Sequence, residues 1–159
     1  TMCSYAPLFA HSEGWQWTPD LIWFDNLKAY GTPNYYVQKL FAVNKGTQVL
    51  PMLLENTPLT GQLGLYGSAV LDKSVKEVIL KVVNSTANAQ ASNVELKGTG
   101  KINSVANVTV LKSQLLDGVN SLSNPTAISP VEETVSVKGK KLSLSLPPYS
   151  FSVIRIKVN

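Results

Sequence analysis

The sequence predicts a mainly β protein: a jelly-roll-like antiparallel β-sandwich, preceded by a short strand, loop and helix. Three observations carry this. Between Val131 and Val158, three short runs alternate apolar and polar residues, a period of two that puts one set of side chains on a core face. From Thr47 onward, short apolar runs are separated by clusters of Gly, Asn, Ser and Pro, the texture of an all-β sandwich. Ahead of them, Thr32-Pro33 opens one segment with helical spacing, threonine as a cap and proline at the first helical position.

The first segment, residues 1–46, differs in composition from the rest. It holds all three tryptophans (Trp15, Trp17, Trp23), the only histidine, His11, and four of the six tyrosines. Met2 to Phe9 reads as a short buried strand and Ala10 to Pro19 as a polar, aromatic loop. Leu21 to Phe24 is a short apolar run, and Asp25-Asn26 signals a turn. The helix runs from Pro33 to about Ala42. Tyr36, Val37, Leu40 and Phe41 form its buried side, and Asn44-Lys45-Gly46 ends it. A strand, loop and helix of this length is the size of one repeat of a larger α/β barrel.

Residues 47–159 form the sandwich. Strands are expected at Val49–Glu55, Leu65–Asp72, Glu77–Asn84, Ala91–Lys97 and Val105–Ser113. Asn120 to Pro130 is the longest irregular stretch. Three runs close the chain: Val135 and Val137; Leu142, Leu144 and Leu146; then Phe151 to Val158. Gly139 turns the first into the second, and Pro147-Pro148 separates the second from the third. Tyr149 is placed to close the end of the core. The alternation skips a residue at Val153-Ile154, which predicts a bulge. Leu142–Leu146 is expected to pair with Phe151–Ile156.

Composition narrows the function. Hydrophobic residues make up 44% of 159 residues, enough for one core. No apolar run reaches the roughly 18 residues that cross a membrane. The net charge of +4 is spread out, and Lys138, Lys140 and Lys141 read as a solvated turn, so no nucleic-acid partner is expected. Cys3 is alone and forms no internal disulfide. His11 with one cysteine is no metal site, and no cofactor is expected. The first residues lack a basic leader; they begin directly in a strand-like run, which suggests a fragment.

Catalytic candidates are few. Glu13, Asp20, Asp25 and Glu55 precede the sandwich, and a cap or turn role suffices for Asp20. Glu132 and Glu133 are adjacent, so on a strand they point to opposite faces and cannot flank one bond. Ser4 has no triad around it. Asn84-Ser-Thr and Asn107-Val-Thr match the glycosylation pattern, a triplet frequent by chance.

Three blocks nevertheless share a signature. Met2-Cys-Ser-Tyr-Ala-Pro-Leu-Phe9, Trp17-Thr-Pro-Asp-Leu-Ile-Trp-Phe24 and Tyr30-Gly-Thr-Pro-Asn-Tyr-Tyr-Val-Gln38 resemble the end of the catalytic barrel in glycoside hydrolase family 51 α-L-arabinofuranosidases. The ending Leu146-Pro-Pro-Tyr-Ser-Phe-Ser-Val-Ile-Arg155 resembles the last strands of the sandwich in the same family. The resemblance implies that residues 1 to about 42 are a β/α remnant of a (β/α)8 barrel, with the sandwich packed beside it. It implies retaining hydrolysis of terminal α-L-arabinofuranosyl groups of arabinan or arabinoxylan by two glutamates about 5 Å apart. Both belong to strands upstream of the last one, so no catalytic residue carries over to this chain. The partner implied is an arabinose-containing poly- or oligosaccharide bound through the missing barrel. A plant-polysaccharide substrate favours a secreted or periplasmic place.

Barrel sites are built from loops that follow the strands. The loop after Phe9 carries Trp15 and Trp17, whose rings suit stacking on a sugar face; the bland alternative is that Trp17 packs under Pro19. The rival reading is a carbohydrate-binding sandwich module, and a third is an interaction sandwich without a sugar role. Both are disfavoured: Tyr66, Tyr149 and Phe151 are too sparse for a binding platform, and a free sandwich has no need of the helix. An open sandwich edge is a place for an oligomer contact.

Overall fold

The computed structural model describes residues 4–159. Short strands β1 (Phe9–His11), β2 (Ile22–Phe24) and β3 (Ala29–Gly31) form a small sheet in that order. β1 and β2 run parallel, and β2 and β3 antiparallel. Helix α1 (Pro33–Val43) follows. Then come β4 (Gln48–Leu50), the two-residue strands β5 (Leu53–Leu54) and β6 (Thr57–Pro58), β7 (Leu65–Asp72) and β8 (Glu77–Asn84). The chain ends with β9 (Gln90–Glu95), β10 (Val105–Lys112), β11 (Val131–Lys138), β12 (Lys141–Leu146) and β13 (Ser150–Lys157).

Eight strands form one antiparallel sheet in the order β4-β7-β8-β13-β10-β11-β12-β9. It closes on itself as a sandwich because β11 changes partner along its length. Val131–Ser136 pairs with β10, and Val137–Lys138 with β12. The inner faces then meet: Leu142, Leu144 and Leu146 of β12 share one core with Val78, Leu80 and Val82 of β8, Val108 and Val110 of β10, and Ile154 and Ile156 of β13. Gly139 takes a φ of 63° in the β11–β12 turn, as expected of the Lys-Gly-Lys-Lys run.

Two expectations for the last strands change. Leu142–Leu146 does not pair with Phe151–Ile156; β12 pairs with β11 and β9, and β13 with β8 and β10. The Pro147-Pro148 link carries the chain across the core instead of reversing it in a hairpin. Asn84 holds that crossing, donating through Nδ2 to the carbonyls of Leu146 (3.2 Å) and Pro147 (2.8 Å). Asn84 is therefore a buried anchor, 1% exposed, and not an available glycosylation acceptor. Nor does Val153-Ile154 mark a bulge: the registers of β13 with β8 and β10 run unbroken. Both faces of the strand are buried, so the period of two disappears without an extra residue.

The second face of β13 is covered by α1. Leu40 packs with Ile79, Leu111, Phe151 and Val153 in a separate buried cluster flanked by Tyr36 and Val37. Thr32 caps the helix, its Oγ1 accepting from Tyr35 N at 3.4 Å. Phe41, expected inside, keeps 47% of its surface exposed; its ring stacks on Phe151, and the Lys81 ammonium lies 5.6 Å from its centroid. At the helix end, Arg155 donates to Asn44 Oδ1 at 2.8 Å and pairs with Glu77. The irregular stretch near Asn120 is pinned to the helix start, since Asn120 Nδ2 donates to the carbonyls of Gly31 and Ile128, each at 2.9 Å.

Two strands sit elsewhere than expected. Of the strand expected at Met2–Phe9, residues 1–3 lie outside the described residues, and Ser4 to Leu8 is irregular. Pro7 has no N–H to extend a ladder. Pairing starts only where Leu21 N meets Pro7 O and Ile22 N meets Leu8 O, so the strand lies at Phe9–His11 and Phe9 is exposed. The Val49–Glu55 run is cut by Pro51 into β4 and β5 for the same reason.

Candidate functional site

The aromatic loop lies between β1 and β2. Its base is fixed by backbone bonds: Ser12 N donates to Phe24 O at 2.9 Å and Gly14 N to His11 O at 3.1 Å. His11 Nδ1 accepts from Glu13 N at 3.2 Å, and its ring meets Phe24 edge to face, centroids 5.3 Å apart. Beyond the loop, Asp25 Oδ1 accepts from Leu27 N and Lys28 N at 2.7 and 2.6 Å, which makes the turn from β2 to β3. Those two bonds hold the Asp25 carboxyl below its ordinary pKa, since they favour the charged form.

The loop frames an open cleft of about 300 Å³, lined by Phe9, His11, Trp15, Trp17 and Asp20 among others. Trp15 is 52% and Trp17 62% exposed. Trp15 stands edge to face on Trp23, centroids 5.9 Å apart. Among the described residues, no aromatic ring pairs with Trp17 in this way. The structure thus brings Trp15 and Trp17 to one cleft.

Asp20 differs from its expected turn role. It is 2% exposed, and its Oδ2 has no hydrogen-bond partner among the described residues. A buried carboxylate oxygen of this kind calls for a donor. The Trp-Thr-Pro-Asp run reads as a surface turn, and nothing in its local pattern signals burial.

The other acidic residues form no catalytic pair. Glu13 is exposed in the loop, and Glu55 sits at positive φ in the β5–β6 turn. Glu132 lies opposite Thr109, which donates to it at 2.8 Å, whereas Glu133 lies opposite Val108, so the two point to opposite faces. Glu77 is engaged by Arg155 and Lys157.

Relatives place this arrangement. The plant protein α-L-arabinofuranosidase 1 of Arabidopsis thaliana is 35% identical over 95% of the chain, which spans 22% of that relative. The probable α-L-arabinofuranosidase A of Aspergillus terreus is 30% identical over 96% of the chain and 23% of its own length. Among solved structures, the arabinose-bound MgGH51 α-L-arabinofuranosidase superposes with a TM-score of 0.85 and 32% identity, over 98% of this chain and 24% of that one. The α-L-arabinofuranosidase of Thermotoga maritima, at 21% identity and a TM-score of 0.69, shares the fold. The chain thus spans about a quarter or less of the curated relatives it matches. The profile of the α-L-arabinofuranosidase C-terminal domain matches residues 1–150, and the chain belongs to that family.

Proposed function

We propose that this chain is the C-terminal part of a retaining α-L-arabinofuranosidase that removes terminal arabinofuranosyl groups from arabinan or arabinoxylan. The observation that carries this reading is coverage: nearly the whole chain aligns with such enzymes, yet it spans only 22% of one of them. Residues 1–46 supply the last strand, loop and helix of the catalytic barrel, and residues 47–159 the sandwich that braces it. The two carboxylates of the reaction belong to the rest of the barrel. One protonates the departing oxygen while the other attacks the anomeric carbon. No two carboxylates described above are placed for that pair of tasks.

Within this reading, Trp15 and Trp17 line the sugar cleft. Their rings offer flat apolar faces at the end of β1, where the loops of a barrel gather its site. The decisive experiment compares the 159-residue chain with the full-length gene product on a chromogenic α-L-arabinofuranoside. Activity confined to the longer protein supports the reading; activity of the chain alone, or of neither, rejects it. A free carbohydrate-binding module needs a platform of exposed rings on the sandwich. Tyr66 is half exposed, but Tyr149 is partly buried and Phe151 lies within the core.

A further inference from the structure

The aromatic cleft between β1 and β2 holds a polar atom that the fold leaves unpaired. Asp20 lines the cleft with His11, Trp15 and Trp17. It is buried, and its Oδ2 accepts no hydrogen bond among the described residues. The backbone donors next to it are committed elsewhere. Leu21 N donates to Pro7 O, Ile22 N to Leu8 O, and Thr32 closes on Leu21 O through both N and Oγ1. A buried acceptor in this state carries a desolvation penalty, and a donor that enters the cleft removes it.

His11 supplies the complementary group. Its Nδ1 accepts from Glu13 N, so in the neutral ring the proton sits on Nε2. Phe24 holds the ring edge to face, and among the described residues Nε2 has no hydrogen-bond partner. The cleft therefore combines an acceptor, a donor and two indole rings. A sugar residue matches all three: its hydroxyls donate and accept, and its C–H face stacks on an aromatic ring. A metal ion does not match. One histidine and one aspartate are too few ligands, and no group of three or more His, Cys, Asp or Glu gathers among the described residues.

We propose that Asp20 and His11 are specificity-determining residues that hold one sugar residue by its hydroxyl groups. One hydroxyl donates to Asp20 Oδ2, and His11 Nε2 donates to another oxygen of the same residue. The inference rests on the reading that the chain is part of a longer arabinofuranosidase, and it deepens that reading at the same cleft. Trp15 and Trp17 supply stacking, which tolerates a missing hydroxyl. The buried Asp20 oxygen does not, because an analogue without the hydroxyl leaves it unpaired again. Two sugars offer the same chemistry: the terminal arabinofuranosyl group and the sugar that departs.

The test measures kcat/KM and melting temperature of the full-length gene product and its Asp20→Asn, His11→Leu and His11→Gln variants. The substrates are 4-nitrophenyl α-L-arabinofuranoside, its 2-, 3- and 5-deoxy analogues, and α-1,5-arabinobiose. Asp20→Asn is expected to lower kcat/KM about tenfold or more with the melting temperature kept. A loss on both parent substrates, with the wild-type penalty for one deoxy analogue shrinking about tenfold in the variant, places the hydroxyl on the terminal sugar. A loss confined to arabinobiose places it on the departing sugar. His11→Gln, whose amide nitrogen stands in for Nε2, is expected to keep most of the activity that His11→Leu loses. This pair carries the test if Asp20→Asn does not fold. Kinetics kept at a lower melting temperature, deoxy penalties all unchanged beside a loss on both substrates, or equal kinetics in the two His11 variants overturns the proposal. If the unmodified protein is inactive on both substrates, the parent reading fails and the proposal falls with it; if it is active and the variants match it, the proposal alone fails.

Discussion

Phe41 lies flat on Phe151, ring centroids 4.9 Å apart and planes inclined by 11°. The contact joins the helix of the first segment to the last strand of the sandwich, 110 positions later in the chain. With Leu40 beside it, it makes α1 and the sheet a single packed layer. Stability of either part therefore depends on the other.

Leu40→Ala tests that dependence. Leu40 is 7% exposed, and truncating a buried leucine costs about 2–5 kcal/mol through lost transfer energy and the cavity left behind. Urea unfolding is expected to show a loss in that range in a single transition. A loss below about 1 kcal/mol, at the scale of a surface change, would mean that the helix does not help hold the sandwich.

Thr32→Ala removes the cap of α1. The hydroxyl accepts from Tyr35 N and donates to Leu21 O at 3.0 Å. The expected cost is about 1 kcal/mol, read as a lower melting temperature. Thr32→Ser, which keeps both bonds, should restore most of it; a serine variant as weak as the alanine one contradicts the capping role.

Asn84→Ala strips the Pro147 crossing of its donor. Nδ2 serves the carbonyls of Asn88, Leu146 and Pro147, and Oδ1 accepts from Thr86 N and Thr86 Oγ1. Each buried group left without a partner costs about 1–3 kcal/mol. The chain is expected to lose more stability here than at Thr32. Equal losses at the two sites would show that water takes over the bonds.

Much of this architecture is legible in the sequence because its signals are local. Leu142, Leu144 and Leu146 alternate cleanly with serines, and β12 buries one face only. Thr32-Pro33 marks the helix start to the residue. Elsewhere tertiary packing overrides the local pattern. Phe151 to Ile156 is apolar on both sides because α1 arrives from a hundred residues upstream, and a period of two cannot report a second cover. The partners of β12 and β13 follow from a crossing whose key residue, Asn84, lies far away in sequence. At the candidate cleft, the aromatic loop is visible as composition. The burial of Asp20 is not, because it arises from tertiary packing that the local Trp-Thr-Pro-Asp pattern does not report.

Lys81 carries a pH signature. Its folded pKa is lowered from 10.5, first by burial and then by Arg155. Between the lowered value and 10.5, the unfolded chain holds the proton more tightly than the folded one, so this group's contribution to stability rises with pH. Below that window the buried charge is a standing cost. Lys81→Met is therefore expected to stabilise the isolated chain at neutral pH, with an advantage that shrinks as the pH approaches 10.5. An advantage that grows with pH would contradict the assignment.

Trp15→Ala and Trp17→Ala separate binding from packing in the full-length gene product. Trp17 is 62% exposed, and its loss should raise KM or lower kcat with the melting temperature kept. Trp15 leans on Trp23, so its loss should also lower the melting temperature. A Trp17 variant that loses stability and keeps its kinetics assigns that residue to packing.

The most direct measurement is hydrolysis of a chromogenic α-L-arabinofuranoside by the purified 159-residue chain and by the full-length gene product, with heat-inactivated and tag-only controls. On the proposed reading, the carboxylates for covalent catalysis and leaving-group protonation lie outside this chain. The chain is expected to release chromophore at the uncatalysed rate, and the longer protein readily. Turnover by the chain alone would contradict the account and show that Glu13, Asp20 or a neighbouring acid forms a site of its own.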